Sequence, residues 1–185
     1  MGAAPRLSEL SDIEAALWRE LAACVEHRGH AWRSGVLATT DGDSADARTV
    51  ILRECDAAAR TLTLFTDSRS PKVGQIAAFP RGTLVLWSAQ LGWQLRLRVH
   101  LAVETAGLRV SSRWAQMKMT PGAHDYLSPL PPGVPLDHAV QTRESRGHFA
   151  VVTARVDGVD WLELHAEGHR RAHFDAVEGA RWVAP

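Results

Sequence analysis

The chain has 185 residues, and its 21 lysine and arginine residues balance its 21 aspartate and glutamate residues. This length is typical of one domain, so we expect a single domain over residues 1–185. The composition, with 45% hydrophobic and 23% charged residues, is that of a globular protein and excludes wholesale disorder. The balanced charge argues against a general nucleic-acid binder, which needs surplus cations to displace counterions.

The cysteine count and the absence of long apolar runs indicate the compartment in which the protein is expected. Its two cysteines, Cys24 and Cys55, are too few for a disulfide framework and predict free thiols in a reducing compartment. No apolar run approaches the ~18 residues that a membrane span needs. The first residues, MGAAPRLSELSD, lack the apolar stretch of a signal peptide. We therefore expect a soluble, cytoplasmic protein with no membrane partner.

The first predicted element is a helix over residues 12–26, within an N-terminal region of residues 1–28. Ser11 and Glu14 have the spacing of a capping box, in which each side chain satisfies a backbone donor at the helix start. An apolar residue recurs at every fourth position and forms one stripe, made by Ile13, Leu17, Leu21 and Val25. Gly29 ends the helix.

Short strands follow in close succession, separated by turn residues. The patterns predict strands over residues 35–40, 48–53, 61–66, 83–88 and 93–103. The last of these alternates regularly between apolar and polar residues, which predicts one buried and one polar face. Ser70 and Pro71 predict the start of a short helix, because serine caps helices and proline fits the first helical position. A second helical segment is predicted over residues 107–118.

The C-terminal third begins with a proline-rich segment, residues 119–137, which contains five prolines. Its length predicts a loop that is functional, a lid, or mobile. Strands at 149–156 and 161–165 flank Asp157-Gly158, a hairpin turn signal, and a tail strand is predicted over 169–174. Many short strands with few helices predict a mainly β fold, a closed barrel with flanking helices.

Basic residues gather around one predicted strand–turn–helix unit. Arg48 and Arg53 bracket a strand, and Arg69, Ser70 and Lys72 lie at the start of the short helix. A helix N-terminus suits an anion, and a bound phosphate would offset the unfavourable position of Lys72 in the first turn. The alternative is a solvated basic loop. Strict alternation also places Arg48 and Arg53 on opposite faces of their strand, which argues against a shared ligand.

Two further groups of residues are candidates. The polar face of the strand at 93–103 carries Gln94, Arg96 and Arg98, which either line a polar ligand or face solvent on the barrel exterior. Three histidines, His165, His169 and His173, recur at intervals of four residues. On a helix this spacing would suit a metal, but on a strand the outer two lie ~13 Å apart, too far for one ion. We expect no metal site.

Four segments, in this order, resemble the pyridoxamine 5′-phosphate oxidase-like family of FMN-binding split barrels. They are RTVILR (48–53), LFTDSRSPK (64–72), WQLRLRV (93–99) and WLELHAEGHRRAHF (161–174). The resemblance covers about residues 31–105 well and 149–185 more loosely. It implies a split β-barrel with FMN as cofactor, and a homodimer with the flavins at its interface.

The resemblance also implies roles for individual residues. The FMN phosphate would be held by Arg48, Arg53, Ser70 and Lys72, with Arg69 substituting for a family arginine at the position of Pro71. Val50 and Ile51 would present backbone to the flavin, and Phe65 and Thr66 would line it. Gln94, from the partner subunit, would bond the pyrimidine edge of the ring, and we include its neighbour Arg96 in the candidate set.

The chain also departs from the family pattern. The substrate-phosphate residues of true oxidases have no counterpart in VSSRWAQMKMTPGAHDY, although Arg170 or Arg171 could bind a substrate anion. The resemblance therefore implies an uncharacterised FMN-binding branch, acting as a flavin-dependent oxidoreductase on a small unidentified substrate. It assigns no catalytic residue. The alternative is a non-catalytic module on the same barrel that binds flavin, or haem through a histidine such as His169.

Overall fold

The computed structural model of the chain describes residues 6–136 and 147–185. In this part of the chain the helices and strands are, in order, α1 (Leu10–Glu26), β1 (Ser34–Thr40), β2 (Ala45–Asp56), β3 (Thr61–Asp67), α2 (Pro71–Ala78), β4 (Arg81–Ser88), β5 (Trp93–Glu104), α3 (Leu108–Met117), β6 (Phe149–Glu163), β7 (Arg170–Asp175) and β8 (Gly179–Val183). Two short 3₁₀ helices cover Ala31–Arg33 and Pro121–Tyr126.

The strands form one antiparallel sheet in the order β3-β2-β1-β4-β5-β6-β7-β8, and β3 also pairs with β6. This additional pairing runs from Thr61 opposite Arg155 to Asp67 opposite Phe149. It closes six strands into a barrel, and β7 and β8 extend the sheet beyond it. Closure satisfies the strand edges that an open sheet would expose. The predicted mainly β barrel with flanking helices is confirmed.

The barrel interior is filled by the apolar faces that the sequence predicted. On β5 every second side chain is buried, from Trp93 through Leu95, Leu97, Val99 and Leu101. The stripe of α1 packs onto the same core through its buried residues Ile13, Leu17 and Leu21. None of the described helices has both the length and the apolar character that crossing a bilayer requires.

The predicted capping box is wrong. Helix α1 begins at Leu10, so Ser11 lies inside the helix, and the N-cap is Glu9, which makes no side-chain capping bond. The backbone carbonyl of Glu9 accepts hydrogen bonds from the amides of Asp12 and Ile13, as the first carbonyl of a helix does. Residues 1–5 of the predicted N-terminal region lie outside the described residues.

The predicted hairpin at Asp157-Gly158 is also wrong. Strand β6 continues through both residues, and Arg98 pairs with Gly158 while the next residue, Val99, pairs with Val156. Asp157 is therefore the extra residue of a β-bulge, which interrupts the pairing without reversing the chain. An Asp-Gly pair fits either a hairpin turn or a bulge. Here β6 pairs with β5 on one side and with β3 or β7 on the other, and this pairing keeps the strand continuous.

The proline-rich segment is more ordered than the predicted loop. Residues Pro121–Tyr126 form a 3₁₀ helix, here called the 121–126 turn. Within it Ala123 and Tyr126 are buried in a second apolar cluster that includes Trp114 and Phe149. Asp137, the last residue of the predicted loop, lies outside the described residues.

Gly35 provides a test of the barrel packing. A Cβ atom there would lie 2.4 Å from a methyl of Leu86 and 2.9 Å from the carbonyl oxygen of Val85, and the backbone atom cannot easily move. We predict that Gly35→Ala lowers the free energy of unfolding by about 1–3 kcal/mol through overpacking, measured by urea denaturation. Gly29→Ala is the matched control, since nothing lies within 4 Å of its Cβ position. Equal midpoints for the two variants would contradict the packing described.

Candidate functional site

A pocket of about 140 Å³ lies between β2, β3, the start of α2 and the 121–126 turn. Six of the predicted cofactor residues line it, namely Val50, Ile51, Arg53, Phe65, Thr66 and Lys72. The remaining lining residues are Thr49, Leu64, Asp125, Tyr126 and Val152. The structure thus brings together the central part of the set that the family resemblance implied.

A β-bulge lies at Arg53, which lines this pocket. Leu52 pairs with Leu64 and Glu54 pairs with Thr63, so Arg53 has no partner residue on β3. Arg48 does not line this pocket, so the five-residue spacing still separates the two arginines within one chain. The guanidinium lies 5.8 Å from the centre of the Phe65 ring.

The polar atoms of Arg53 are incompletely satisfied. Its Nη2 lies 3.4 Å from the Tyr126 hydroxyl, and its Nε is buried without a hydrogen-bond partner among the described residues. A buried donor with no acceptor is costly, so this guanidinium fits a site that receives an anion.

Lys72 contributes the second cation. Its Nζ donates to the hydroxyls of Ser70, at 2.6 Å, and Thr66, at 3.0 Å. Burial lowers the pKa of Lys72, and the nearby charge of Arg48 lowers it further. A partly buried ammonium whose hydrogen-bond partners are neutral hydroxyls fits an anionic ligand, because a nearby negative charge would stabilise its charged form.

Arg48 lies outside the pocket. Its guanidinium donates to Thr39 Oγ1 at 2.5 Å and to Gln75 Oε1 at 3.0 Å, and it is ion-paired with Asp46. Arg69 also turns away and is ion-paired with Asp67 at 2.7 Å. Ser70 is buried and reaches the site only through Lys72. Within one chain, Arg53 and Lys72 are therefore the predicted phosphate-binding cations that line the pocket.

Gln94 and Arg96 lie elsewhere on the outer face of the sheet. One row of paired residues crosses seven strands on this face and consists of Thr49, Val36, Val85, Arg96, Asp160, His173 and Arg181. Arg96 is three strands from Thr49, or roughly 14 Å at the usual strand spacing of ~4.8 Å. The Gln94 and Arg96 part of the predicted site is thus separate from the pocket within one chain.

The two candidate substrate-binding arginines are both ion-paired. Arg171 forms a two-pronged contact with Asp160, with distances of 2.9 and 2.7 Å, on the same outer face as Arg96. Arg170 forms a similar contact with the buried Glu163, at 2.8 and 3.0 Å, and donates to the carbonyl of Leu7 at 2.7 Å. Arg170 thereby fastens the N-terminal segment to the barrel.

The three spaced histidines do not converge. The backbone amide of His165 donates to Nδ1 of His169, and His173 lies 3.6 Å from Asp160. The part of the chain that the structure describes contains no group of three or more histidine, cysteine, aspartate or glutamate residues arranged to hold a metal ion.

Sequence reasoning missed Asp125 and Tyr126, which form the outer wall of the pocket. Tyr126 is the only tyrosine of the chain and is buried, and this burial raises the pKa of its hydroxyl while the charge of Arg53 lowers it in part. It follows Arg53 by 73 residues, so no local pattern could reveal the contact.

Comparisons with known proteins concern the family and the fold. Residues 15–105 match the family model described as pyridoxamine 5′-phosphate oxidase, FMN-binding domain. No curated protein matches the chain. The fold is that of a split-barrel protein. Residues 15–105 are those of a pyridoxamine 5′-phosphate oxidase FMN-binding domain, as the ordered segments within that range predicted.

Several solved structures share the fold. A pyridoxamine 5′-phosphate oxidase-related, FMN-binding protein from Nostoc punctiforme is 20% identical, with a TM-score of 0.70 over 98% of this chain and 100% of that one. PhzG from Burkholderia lata, in complex with tetrahydrophenazine-1-carboxylic acid, is 15% identical, with a TM-score of 0.75 over all of both chains. A haem-binding protein from Mycobacterium smegmatis is 19% identical, with a TM-score of 0.55 over 93% of this chain and 60% of that one.

The buried ion pairs of Glu163 allow a test of the role of Arg170. Burial raises the pKa of Glu163, but hydrogen bonds from Arg170 and Arg6 outweigh it and hold the pKa below its usual range. A carboxyl with a lowered folded-state pKa stabilises the protein above its unfolded pKa of ~4.3, and this stability is lost as the pH falls through the folded pKa.

We therefore predict that Glu163→Gln destabilises the protein at neutral pH by about 1–3 kcal/mol, because it leaves the partly buried Arg6 and Arg170 without their shared carboxylate. The difference from the wild type should shrink in acid, as measured by urea denaturation between neutral and acidic pH. Glu178→Gln, at an exposed pair with Arg181, is the control and should have little effect. A constant difference at every pH would contradict this account.

Proposed function

We propose that the protein binds FMN and uses it as an oxidoreductase acting on a small molecule. The observation that carries the proposal is the convergence of Arg53 and Lys72 on one pocket, where neither forms an ion pair with a described carboxylate. A phosphate monoester carries a charge of about −1.5 to −2 at neutral pH, which two such cations would balance. The family match supports the choice of FMN over other phosphorylated ligands.

The remaining pocket residues suit the rest of the cofactor. Thr66 adds a hydroxyl beside Lys72, and Val50 and Ile51 of β2 offer backbone and apolar surface next to the aromatic ring of Phe65. When bound, FMN would supply the electron-transfer chemistry. The protein would anchor the phosphate, orient the ring and exclude water from one side of it.

The substrate is proposed only as a class. PhzG of Burkholderia lata shares the fold and is in complex with tetrahydrophenazine-1-carboxylic acid, which supports a small organic molecule as the substrate. Arg171 stays a candidate for a substrate anion because it lies at the outer face with Arg96. We also propose a cytoplasmic location, which the two free thiols support.

The second candidate function is non-catalytic binding of flavin or haem. The similarity in fold to the haem-binding protein of Mycobacterium smegmatis favours it. His169 is exposed and would be the haem ligand, although its Nδ1 already accepts a hydrogen bond from the His165 amide. The absorption spectrum of the loaded protein separates the two cofactors, because haem gives a Soret band and flavin does not.

We further propose that the protein is a homodimer with the flavin at its interface. The pocket of one chain, at about 140 Å³, is smaller than the ~300–1,000 Å³ typical of sites for cofactor-sized ligands. The outer face beside it exposes apolar side chains, including Val36, Ile51 and Trp87. A second copy covering this face would enlarge the site and bury those residues.

The flavin proposal predicts a specific effect of the two cations. Purified protein incubated with FMN should bind it with a visible flavin spectrum, and Arg53→Ala combined with Lys72→Ala should weaken binding by about 1.5–3 kcal/mol for each lost charged contact. Riboflavin, which lacks the phosphate, is the matched ligand and should bind both proteins with similar affinity. Calorimetric titration measures both ligands.

Two results would count against this proposal. Protein that is colourless after incubation with excess FMN and removal of the unbound flavin would exclude flavin binding. A Soret band after incubation with haem would then support the alternative. An unchanged FMN affinity in the double variant would show that the phosphate lies elsewhere.

The dimer proposal predicts that charge on the outer face separates the copies. Val36→Lys should give a folded monomer, because Val36 is exposed within one chain but would be buried against the second copy. Sedimentation velocity gives the mass, and circular dichroism checks the fold. Leu108→Lys, an exposed position on α3, is the control and should remain dimeric. A dimeric Val36→Lys protein would place the interface elsewhere.

A further inference from the structure

Arg69 makes more contacts than any of the other predicted phosphate-binding residues, and none of those described here points into the pocket. Its Nη1 donates to the carbonyl of Pro129 at 3.0 Å, and its Nη2 donates to those of Ser128 at 2.8 Å and Leu130 at 3.3 Å. These three carbonyls belong to consecutive residues of the proline-rich segment. One guanidinium therefore binds the backbone of a segment about 60 residues away along the chain.

Asp67 fixes the position of this guanidinium. Its Oδ1 accepts from the Nε of Arg69 at 3.0 Å and from the Arg69 amide at 2.8 Å, while its Oδ2 accepts from Nη2 at 2.7 Å. The Asp67 side chain is only 5% exposed. A planar guanidinium held by a buried carboxylate on one side presents its remaining N–H groups in one direction. Here that direction is the 128–130 backbone.

The segment that Arg69 holds is continuous with the outer wall of the pocket. Ser128 follows Tyr126 by two residues, and Asp125 and Tyr126 are the residues of the 121–126 turn that line the pocket. Tyr126 itself contacts Arg53, packs edge-to-face on Phe149 and is buried in the apolar cluster that includes Trp114. The fastening of the residues that follow it adds a second restraint on the position of this wall.

We propose that Arg69 is a positioning residue that latches the 128–130 segment to β3, so that Asp125 and Tyr126 close the flavin pocket. This inference rests on the proposed flavin site and assigns Arg69 a different task from the phosphate contact expected from the sequence. A residue that positions the wall affects the binding of every flavin that occupies the pocket. A residue that binds the phosphate affects the binding of a phosphorylated flavin only.

The comparison of FMN with riboflavin separates these two roles. Arg69→Ala should weaken binding of both flavins by the same factor, about tenfold for the loss of charged hydrogen bonds that hold the wall. Lys72→Ala is the matched variant and should weaken FMN while leaving riboflavin unchanged. A loss confined to FMN in Arg69→Ala would overturn the latch and restore the direct phosphate contact.

Hydrogen exchange of the flavin-free protein tests the latch independently of cofactor binding. In Arg69→Ala, amides of residues 121–130 should exchange faster than in the wild type, while those of β5 stay protected. Arg155→Ala, which removes another arginine–aspartate pair at the far end of β3 and β6, is the control and should leave 121–130 unchanged. Unaltered exchange at 121–130 in Arg69→Ala would overturn the proposal even if the wild type binds no flavin.

Arg69→Lys provides a second variant if the alanine variant folds poorly. A lysine ammonium keeps the charge but cannot contact Asp67 and three successive carbonyls together, because it lacks the planar fork of arginine. Exchange of 121–130 and the affinities for both flavins should lie between those of the wild type and Arg69→Ala. Wild-type behaviour in both measurements would show that charge alone suffices and would contradict the latch.

Discussion

The pairing of β3 with β6 is the constraint on which the rest of the structure depends. It closes the barrel, and it also sets the position of the pocket, because β3 supplies Phe65 and Thr66 and β6 supplies Val152. At the end of this pairing Phe149 packs edge-to-face on Phe65 at 5.0 Å and on Tyr126 at 5.3 Å. The same strand pair therefore holds both the inner and the outer wall of the site.

Charge pairing distinguishes the pocket from the rest of the basic surface. Most of the arginines singled out from the sequence are neutralised by a neighbouring carboxylate, including Arg48 by Asp46 and Arg171 by Asp160. Arg53 instead faces aromatic rings and a hydroxyl, and Lys72 faces two hydroxyls. Unbalanced positive charge at partly buried positions is costly, and it occurs here at the residues that the family motif assigns to phosphate.

The sequence predicted the regular parts of the molecule and missed the parts set by irregular pairing. The alternation along residues 93–103 predicted β5 closely, because a half-buried strand imposes a period of two. No such period in the sequence reveals the bulges at Arg53 and Asp157, because each bulge arises from the register of its strand against a neighbouring strand. Likewise Arg69 and Lys72 lie three residues apart, and the sequence could not show that their contacts differ. The difference arises in the folded protein, where backbone carbonyls of the 128–130 segment lie next to Arg69.

Within one chain, the two parts of the predicted site are the pocket and the region of Gln94 and Arg96. They lie on the same outer face of the sheet but remain separate. The row that begins at Thr49, beside the pocket, runs through the apolar Val36 and Val85 before it reaches Arg96. Closed dimers usually have two-fold symmetry, in which one patch contacts itself and each residue meets a different residue of the second copy. An axis through Val36 and Val85 would bring Arg96 of each copy toward Thr49 of the other. Because this apolar pair lies between the pocket and Arg96, a second copy related in this way would let two incomplete sites complete each other.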